Sequence, residues 1–234
     1  MNVSGKDLSV VTGASRGIGK AIALRLAKER HDVMIFGRDE NALKNTKSEI
    51  EKLGSGCDYF IGDVADENFV NNSVENIIVK YEKIDHLINN AGIGIMKKVV
   101  DAGLDDFKKQ IDANLYGVFN FSHSVLPVMI KNKKGSIILI ASLAGKNSFV
   151  NGAMYSATKH AALGFMRSLM LEVREYNIRA ASICPGSVNT EFSHHPNKDK
   201  ILQAEDVAET VVDVIKIPVR ALISEIDLRP TNPK

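Results

Sequence analysis

The chain of 234 residues contains no tryptophan and only two cysteines, and its aromatic residues make up just 6% of the sequence. The scarcity of aromatics weighs against a platform for stacking nucleic-acid bases. The 30 Lys and Arg residues nearly balance the 28 Asp and Glu residues, and the net charge of +2 is too small to indicate a nucleic-acid surface. Cys57 and Cys184 are far apart and lack CxxC spacing, so we expect free, buried thiols of a reducing compartment.

The sequence also lacks a long hydrophobic run. No stretch approaches the ~20 apolar residues that a membrane-spanning helix needs. The first residues, MNVSGKDLSVVTG, enter an apolar strand almost at once, which leaves no room for a signal peptide. We therefore expect a cytoplasmic protein with neither a membrane nor a nucleic acid as its partner.

Short apolar runs alternate with helical patterns along the chain. Strands are predicted at Leu8–Thr12, Asp32–Gly37, Cys57–Asp63, Asp85–Gly92, Gly135–Ser142, Ile178–Gly186 and Arg220–Asp227. The intervening helices include a long pattern over 104–132, divided near Leu115. Strands that are apolar on both faces and separated by helices predict a parallel sheet covered on both sides, hence a doubly wound α/β fold of about seven strands. No repeat or linker marks a second domain, so residues 1–234 are expected to form one domain.

A glycine-rich turn, TGASRGIG at Thr12–Gly19, follows the first predicted strand. Glycine there permits positive φ and close approach of the backbone to a phosphate, and the helix N-terminus behind it offers unpaired N–H groups. The spacing Gly13-x-x-x-Gly17-x-Gly19 departs from the usual GxGxxG pattern, and many such turns bind nothing. Its place at the first strand-to-helix turn nevertheless favours a phosphate site. No GK[ST] follows, which disfavours nucleotide hydrolysis.

The pentapeptide YSATK places Tyr155 one helical turn before Lys159. The pair has two interpretations: a solvated helix face, or a tyrosine whose pKa is lowered by the neighbouring ammonium so that it transfers protons near neutral pH. The spacing alone favours the solvated pair, because both residue types are common on surfaces.

Six motifs occur together in order: TGASRGIG, NNAG at 89–92, Asn114 in DANLYG, Ser142 after GSIILIA, YSATK, and PGSVNT at 185–190. Through these motifs the chain resembles the classical short-chain dehydrogenase/reductase family, whose members are NAD(P)-dependent enzymes on a single Rossmann domain. The resemblance runs from about Leu8 to Thr190. Either the glycine pattern or YxxxK alone would be a chance-level match, whereas six motifs in register are specific.

The resemblance implies four catalytic residues. Tyr155 is the expected acid/base, giving a proton to a carbonyl oxygen or taking one from an alcohol. Lys159 is expected to bind the nicotinamide ribose and to lower the pKa of Tyr155. Ser142 is expected to hydrogen-bond the substrate oxygen, and Asn114 to help hold a water chain behind the lysine.

The resemblance also implies the nucleotide site. The residues expected around the phosphates are Gly13, Ser15, Arg16, Ile18 and Gly19, and those expected beside the adenine are Asp63 and Val64. The residues expected beside the ribose are Asn90, Ala91 and Gly92, together with Tyr155 and Lys159. Those expected at the nicotinamide are Pro185, Gly186, Val188 and Thr190.

NADP(H) is favoured over NAD(H). The second predicted strand ends with Gly37 where an acidic residue would hydrogen-bond the ribose 2′-hydroxyl of NAD, and Arg38 follows immediately. Arg16 adds a second guanidinium, and two arginines suit bidentate contact with a 2′-phosphate. The alternative is that Arg38 is a solvated loop residue.

The substrate is less well specified. The segment EFSHHPNKDKILQAED, 191–206, is short and polar, which suggests a small or polar carbonyl substrate or an open site. His194 and His195 within it lack a third ligand at useful spacing, so no metal site is expected. Lys146, Phe149 and Met154 are expected on the substrate side.

Two alternatives remain beside a carbonyl reductase. The core also resembles 3-oxoacyl-[acyl-carrier-protein] reductases, but the usual VDGG-like ending is replaced by SEIDLRPTNPK, which puts that assignment and the tetramer contacts made by that ending in doubt. A non-catalytic NADP-binding redox sensor would be expected to have lost part of the catalytic set, which this chain retains. The family implies a homodimer or homotetramer formed through the helices at 104–132 and 154–176.

Overall fold

The computed structural model describes residues 5–192 and 200–232. Seven parallel strands form one sheet in the order β3-β2-β1-β4-β5-β6-β9, and β7 and β8 form a separate parallel pair. The strands are β1 Leu8–Thr12, β2 Asp32–Gly37, β3 Cys57–Ile61, β4 His86–Asn89, β5 Gly135–Ile140, β6 Ile178–Pro185, β7 Val188–Asn189, β8 Leu202–Gln203 and β9 Glu225–Leu228. The helices are α1 Gly17–Lys28, α2 Glu40–Lys52, α3 Glu67–Tyr81, α4 Leu104–Ile111, α5 Gly117–Asn132, α6 Ala153–Val173 and α7 Ala204–Lys216.

The direction of strand addition reverses between β1 and β4. From β1 the chain builds outward through β2 to β3, then returns to place β4 on the other side of β1. In open parallel sheets of this kind, ligands bind outside the carboxyl ends of the strands at this switch point. The turns after β1 and β4 are therefore where the fold itself directs a search for a site.

Alternation along β1 supplies apolar side chains to both faces of the sheet. Leu8 and Val10 join one buried cluster, whose other members include Phe121 of α5 and Met166 of α6. Val11 joins the opposite cluster with residues of α1, α2 and α7. Because both faces are covered by helices, most strand residues are apolar, as in other buried parallel sheets.

The predicted doubly wound parallel sheet of about seven strands is confirmed. The helical pattern over 104–132 is divided as expected, by a π-helical turn at Asp112–Tyr116. Both cysteines are free and buried.

The last predicted strand was misplaced: its ladder with β6 begins at Glu225 and ends at Leu228, because the chain turns at 218–221 before pairing begins. The two-residue strands β7 and β8 were not predicted. None of the described helices combines the length and apolarity that crossing a bilayer requires.

Candidate active site

The glycine turn lies between β1 and α1 and is too tight for side chains at several positions. Gly13 and Gly17 have φ of +66° and +53°, in the left-handed region that favours glycine. A Cβ on Gly13 would lie 2.9 Å from the Cα of Ala91. A Cβ on Gly19 would lie 2.2 Å from the carbonyl oxygen of Gly13. The turn is thus packed closely against its own backbone and that of the β4 loop, so only glycine fits at these two positions.

The start of α1 is arranged to accept an anion. Its N-cap residue, Arg16, makes no side-chain cap, and the first turn contains no acidic residue. The neighbouring helices α2 and α3 are instead capped by Asp39 and Asp66. The amide groups at the start of α1 are consequently free of side-chain caps at the positive end of the helix dipole, which suits a phosphate.

The loop after β4 is fixed to the glycine turn by Asn90. Its side-chain amide donates to the carbonyl oxygens of Thr12, at 2.9 Å, and Gly13, at 3.2 Å. The Thr12 hydroxyl in turn accepts from the backbone N–H groups of Asn90 and Ala91, both at 3.0 Å. Three of the residues expected at the nucleotide therefore meet, and Thr12, which the resemblance did not single out, organises them.

Ser142 and Tyr155 meet beyond the carboxyl end of β5. Ser142 follows β5, and its hydroxyl accepts from the backbone N–H of Ala144 at 3.1 Å. Tyr155 lies in the first turn of α6 and is 8% exposed. Burial raises the pKa of Tyr155 to about 12, although its hydrogen bond with Ser142 acts in the opposite direction. The phenol is therefore held in its protonated, proton-donating form at neutral pH.

Lys159 lies one turn further along α6 and is 5% exposed. Its Nζ donates to the carbonyl oxygen of Ile140 at 3.3 Å and lies 5.8 Å from the centroid of the Tyr155 ring. Burial lowers the pKa of Lys159 to about 8. The pair is not a solvated surface pair, so that interpretation was wrong. The net pKa shift of Tyr155 is upward, whereas the sequence favoured a downward one, because burial outweighs the stabilisation of the phenolate in this structure.

Asn114 lies in the π-helical turn and is 1% exposed. Its amide donates to the carbonyl oxygen of Ile93 at 2.9 Å and to the Thr158 hydroxyl at 3.0 Å, while its Oδ1 accepts from the Ile93 N–H at 2.8 Å. Thr158 then donates to the carbonyl oxygen of Tyr155 at 2.8 Å. The π-helical turn thus links the β4 loop to the catalytic helix. Thr158 lies within the motif YSATK but carried no signal of this role.

Gly92 lies between Asn114 and Lys159. A Cβ at this position would be 2.8 Å from Asn114 Oδ1 and 3.6 Å from Lys159 Nζ. The glycine therefore leaves a narrow space directly beside the buried ammonium, in which an added side chain would collide. Glycine at this position lets the loop backbone pass close to the lysine Nζ without a collision.

The residues expected around the adenosine are more exposed. Arg16 forms an ion pair with Glu191 at 2.7 Å, and Arg38 approaches Asp63 at 3.8 Å. Both arginine side chains are more than 70% exposed, so their guanidinium groups can turn to other partners. Val64 is buried, and its carbonyl oxygen accepts from Asn120 at 3.1 Å.

Gly37 and Ser15 occupy complementary volumes. A Cβ at Gly37 would lie 2.3 Å from the Ser15 hydroxyl oxygen. The absence of a side chain at the end of β2 therefore makes room for the serine of the glycine turn. Ile18, in the first turn of α1, packs on the core beneath that turn.

The PGSVNT segment closes the site from the side of β6. The Gly186 N–H donates to the Leu228 carbonyl oxygen at 2.8 Å, and Pro185 ends β6. Val188 is buried beside α7, on the same core as α1. The Thr190 methyl group would lie 3.4 Å from a Cβ on Gly17, so this segment contacts the glycine turn directly.

On the substrate side, Phe192 is a residue that the sequence gave no reason to select. Its ring lies 6.0 Å from that of Tyr155, between centroids, and fills the space above Gly94. Lys146, expected on this side, is instead ion-paired with Glu225, at 2.5 Å, and with Asp227 of β9. Phe149 folds against Gly152, and Met154 is buried. His194 and His195 lie outside the described residues.

Comparison with known proteins gives concordant matches. The family model described as short chain dehydrogenase matches residues 8–201. An uncharacterised oxidoreductase of Staphylococcus aureus is 30% identical over 232 residues, covering 98% of this chain and all of that protein. An alcohol dehydrogenase from Thermococcus sibiricus, solved with 5-hydroxy-NADP, superposes with a TM-score of 0.90 at 26% identity, with 97% of each chain covered. An NAD+-bound xylitol dehydrogenase superposes with a TM-score of 0.89 at 25% identity, covering 98% of this chain and all of that one.

Proposed function

The chain belongs to the short-chain dehydrogenase family, and on that premise we propose that it interconverts a carbonyl compound and a secondary alcohol with NADP(H) as the hydride carrier. The observation that carries the proposal is the arrangement of Ser142, Tyr155 and Lys159: a buried phenol hydrogen-bonded to a serine, with a buried ammonium one helical turn away. Its position at the carboxyl edge of the sheet, beside the glycine turn, suits a dinucleotide-dependent reaction.

The proposed nucleotide site has the features that a dinucleotide requires. The uncapped start of α1 and the tight turn at Gly13 and Gly19 would hold the pyrophosphate, since the backbone amides there are free of side-chain caps. Gly92 brings the loop backbone close to the Lys159 ammonium, which would donate to the hydroxyls of a ribose bound beside this loop. When bound, the nicotinamide supplies the hydride; the chain supplies position and proton transfer.

In the reductive direction, the Ser142 hydroxyl donates a hydrogen bond to the substrate carbonyl oxygen and fixes its position. The carbonyl carbon accepts the hydride, and the oxygen accepts the proton of the Tyr155 hydroxyl, which gives the alcohol and a phenolate. The phenolate is then stabilised by the Lys159 ammonium and is reprotonated from solvent. In oxidation the same phenolate takes the alcohol proton. The raised pKa of Tyr155 keeps the phenol protonated at neutral pH, which is the form that donates the proton in the reductive direction.

The preference for NADP rests on Gly37, Arg38 and Arg16. The last residue of β2 is Gly37, which has no carboxylate to repel a 2′-phosphate, and the exposed guanidinium groups of Arg16 and Arg38 lie near the turn. Both take part in weak, solvent-exposed ion pairs, which cost little to exchange for a phosphate. The proposed preference for NADP is contradicted if the purified protein oxidises NADH as efficiently as NADPH with the same substrate.

A cofactor-consumption screen tests the activity. Purified protein is mixed with NADPH and with aldehydes, ketones, 3-oxoesters, 3-oxoacyl thioesters or quinones, and absorbance loss at the reduced-nicotinamide band is followed. We expect turnover with at least one carbonyl class, and Ser142→Ala is expected to lower kcat by roughly 10²-fold with that substrate. Absence of turnover across all classes, despite NADPH binding, would favour a binding protein over an enzyme.

A further inference from the structure

A second cluster of potential ligands lies at the opposite edge of the sheet from the proposed active site. Asp7 immediately precedes β1, His31 immediately precedes β2, and His86 opens β4. Because these strands are parallel neighbours, their amino ends meet at one edge. Asp7 and Gly13 are six residues apart along an extended segment, which places the cluster roughly 20 Å from the glycine turn.

Three donor atoms of this cluster converge. One carboxylate oxygen of Asp7 and one ring nitrogen each of His31 and His86 lie within 4.8 Å of one another. The two imidazole rings are stacked, with centroids 5.2 Å apart. Two imidazoles and a carboxylate from three adjacent strands form a donor set that suits zinc and related first-row divalent ions.

His86 is poorly paired for a buried imidazole. It is 4% exposed, and its Nδ1 has no hydrogen-bond partner among the described residues. Its Nε2 is 3.4 Å from Asp7 Oδ2, longer than an ordinary N–H···O bond. An ion bound at Nε2 would give this nitrogen the strong interaction that it lacks, while Nδ1 stays without a partner among the described residues. The same 3.4 Å matches the separation of two ligands bound tetrahedrally at about 2.0–2.1 Å from zinc.

The surroundings of the other two ligands are compatible with an ion. The Ser9 hydroxyl lies 2.8 Å from His31 Nδ1, so it can hold that nitrogen as the donor and leave the lone pair of Nε2 free for a metal. The Asp7 side chain is 37% exposed, which provides access from solvent. Lys134 approaches the other oxygen of Asp7, Oδ1, at 3.0 Å, and it is itself 61% exposed. An ion bound to Oδ2 would therefore not displace the lysine from Oδ1.

We propose that Asp7, His31 and His86 form a structural binding site for a zinc-type divalent cation, with a water molecule as the fourth ligand. The ion would join the amino ends of β1, β2 and β4, and would therefore act on stability and not on the chemistry at the carboxyl edge. The nearby ammonium of Lys134 would weaken the ion's binding through charge repulsion without blocking a ligand atom.

The test is a titration of the untagged, full-length protein with ZnCl2, followed by thermal unfolding, and with CoCl2, followed by visible absorption. At saturation we expect the unfolding temperature to rise by roughly 5–10 °C. We also expect Co2+ to show the intense visible bands of a four-coordinate ion. Asp7→Asn and His31→Gln should abolish both responses while keeping the circular dichroism spectrum and NADPH binding of the unsubstituted protein. Absence of both responses in the unsubstituted protein overturns the proposal.

Two further variants separate this site from adventitious binding. His194→Gln combined with His195→Gln removes the only adjacent histidines in the sequence and should leave both metal responses intact. Lys134→Met should increase Co2+ affinity by roughly 3–10-fold, because it removes a cation near Asp7. Loss of the responses in the double variant, or their retention in both Asp7→Asn and His31→Gln, contradicts the assignment.

Discussion

The Nζ of Lys159 lies 5.8 Å from the centroid of the Tyr155 ring, and both side chains are more than 90% buried. Neither group is in an environment that favours its charged form: burial lowers the pKa of the lysine to about 8 and raises that of the tyrosine to about 12. Titratable side chains perturbed in this way are concentrated at functional sites, where they are retained at a cost in stability.

Replacing Lys159 by methionine should therefore stabilise the fold while abolishing activity. The folded-state pKa of about 8 is below the ordinary 10.5, so the unfolded chain binds the proton more tightly. The destabilisation is complete below pH 8 and disappears as the pH rises towards 10.5. At pH 7 we expect Lys159→Met to raise the free energy of unfolding by about 1–3 kcal/mol, with the advantage shrinking above pH 8.

Urea unfolding between pH 7 and pH 10 measures this effect, and Lys52→Met, which removes an exposed lysine, serves as the matched control. A Lys159→Met protein less stable than the original at pH 7 would show that the buried ammonium is net stabilising.

The glycine turn offers a test with an internal comparison. A Cβ on Gly19 would lie 2.2 Å from a backbone oxygen, whereas one on Gly164, on the exposed face of α6, would meet nothing within 4 Å. We expect Gly19→Ala to cost more than about 3 kcal/mol in unfolding free energy and to weaken NADPH binding by at least about 10². Gly164→Ala should instead stabilise by about 0.5–1 kcal/mol, since alanine is the better helix former. Similar results for both substitutions would contradict the close packing of the turn.

Cofactor preference can be reversed only if two positions change together. Gly37→Asp alone introduces a Cβ within 2.3 Å of the Ser15 hydroxyl, so it should lower stability as well as NADPH affinity. Adding Ser15→Gly relieves the collision, and the double variant should regain stability and prefer NADH. The ratio of kcat/KM for NADPH over NADH is expected to fall by about 10²-fold or more. Additive stability losses in the double-mutant cycle would show that the two positions do not compete for space.

Thr158→Val tests the connection between the π-helical turn and α6. Valine preserves the shape of the side chain but can neither accept from Asn114 nor donate to the Tyr155 carbonyl oxygen. We expect a loss of about 1–3 kcal/mol in unfolding free energy, and a fall in kcat larger than the rise in KM. The neighbouring Ser156→Ala is the control: its hydroxyl is buried without a partner among the described residues, so its removal should be neutral or stabilising. Equal losses in both variants would argue against the proposed link.

The sequence pattern predicted the secondary structure correctly where an apolar segment was long. The strand predicted at Asp32–Gly37 has the observed bounds, because its continuous apolar run is buried on both faces of the sheet. The strand predicted at Arg220–Asp227 was misplaced, since its pairing with β6 is decided by tertiary contacts and a preceding turn. The strands β7 and β8 were missed because each has only two residues and their paired residues, such as Val188 and Leu202, are 14 positions apart in the sequence.

Among the site residues, those that lie in motifs were predicted, whereas those that support them through tertiary contacts were not. Motif positions such as Ser142 and Tyr155 were found together because the resemblance carries their order along the chain. The side chains that support them were not predictable: Thr158 bonds across 44 positions to Asn114, and Lys146 turns to carboxylates about 80 positions away. The upward pKa shift of Tyr155 was also not predicted, since the spacing of the motif does not reveal how deeply the phenol is buried.

The most direct test of the central claim is Tyr155→Phe, assayed for both turnover and NADPH binding. The substitution removes the hydroxyl that is hydrogen-bonded to Ser142 and leaves the ring in its buried position. We expect kcat for carbonyl reduction to fall by about 10²–10⁴-fold, while the NADPH dissociation constant, from fluorescence titration, stays within about threefold, since the glycine turn and Lys159 are unchanged and at most one hydrogen bond to the cofactor is removed. Turnover that is unchanged in the variant would contradict proton transfer by Tyr155 and with it the proposed function.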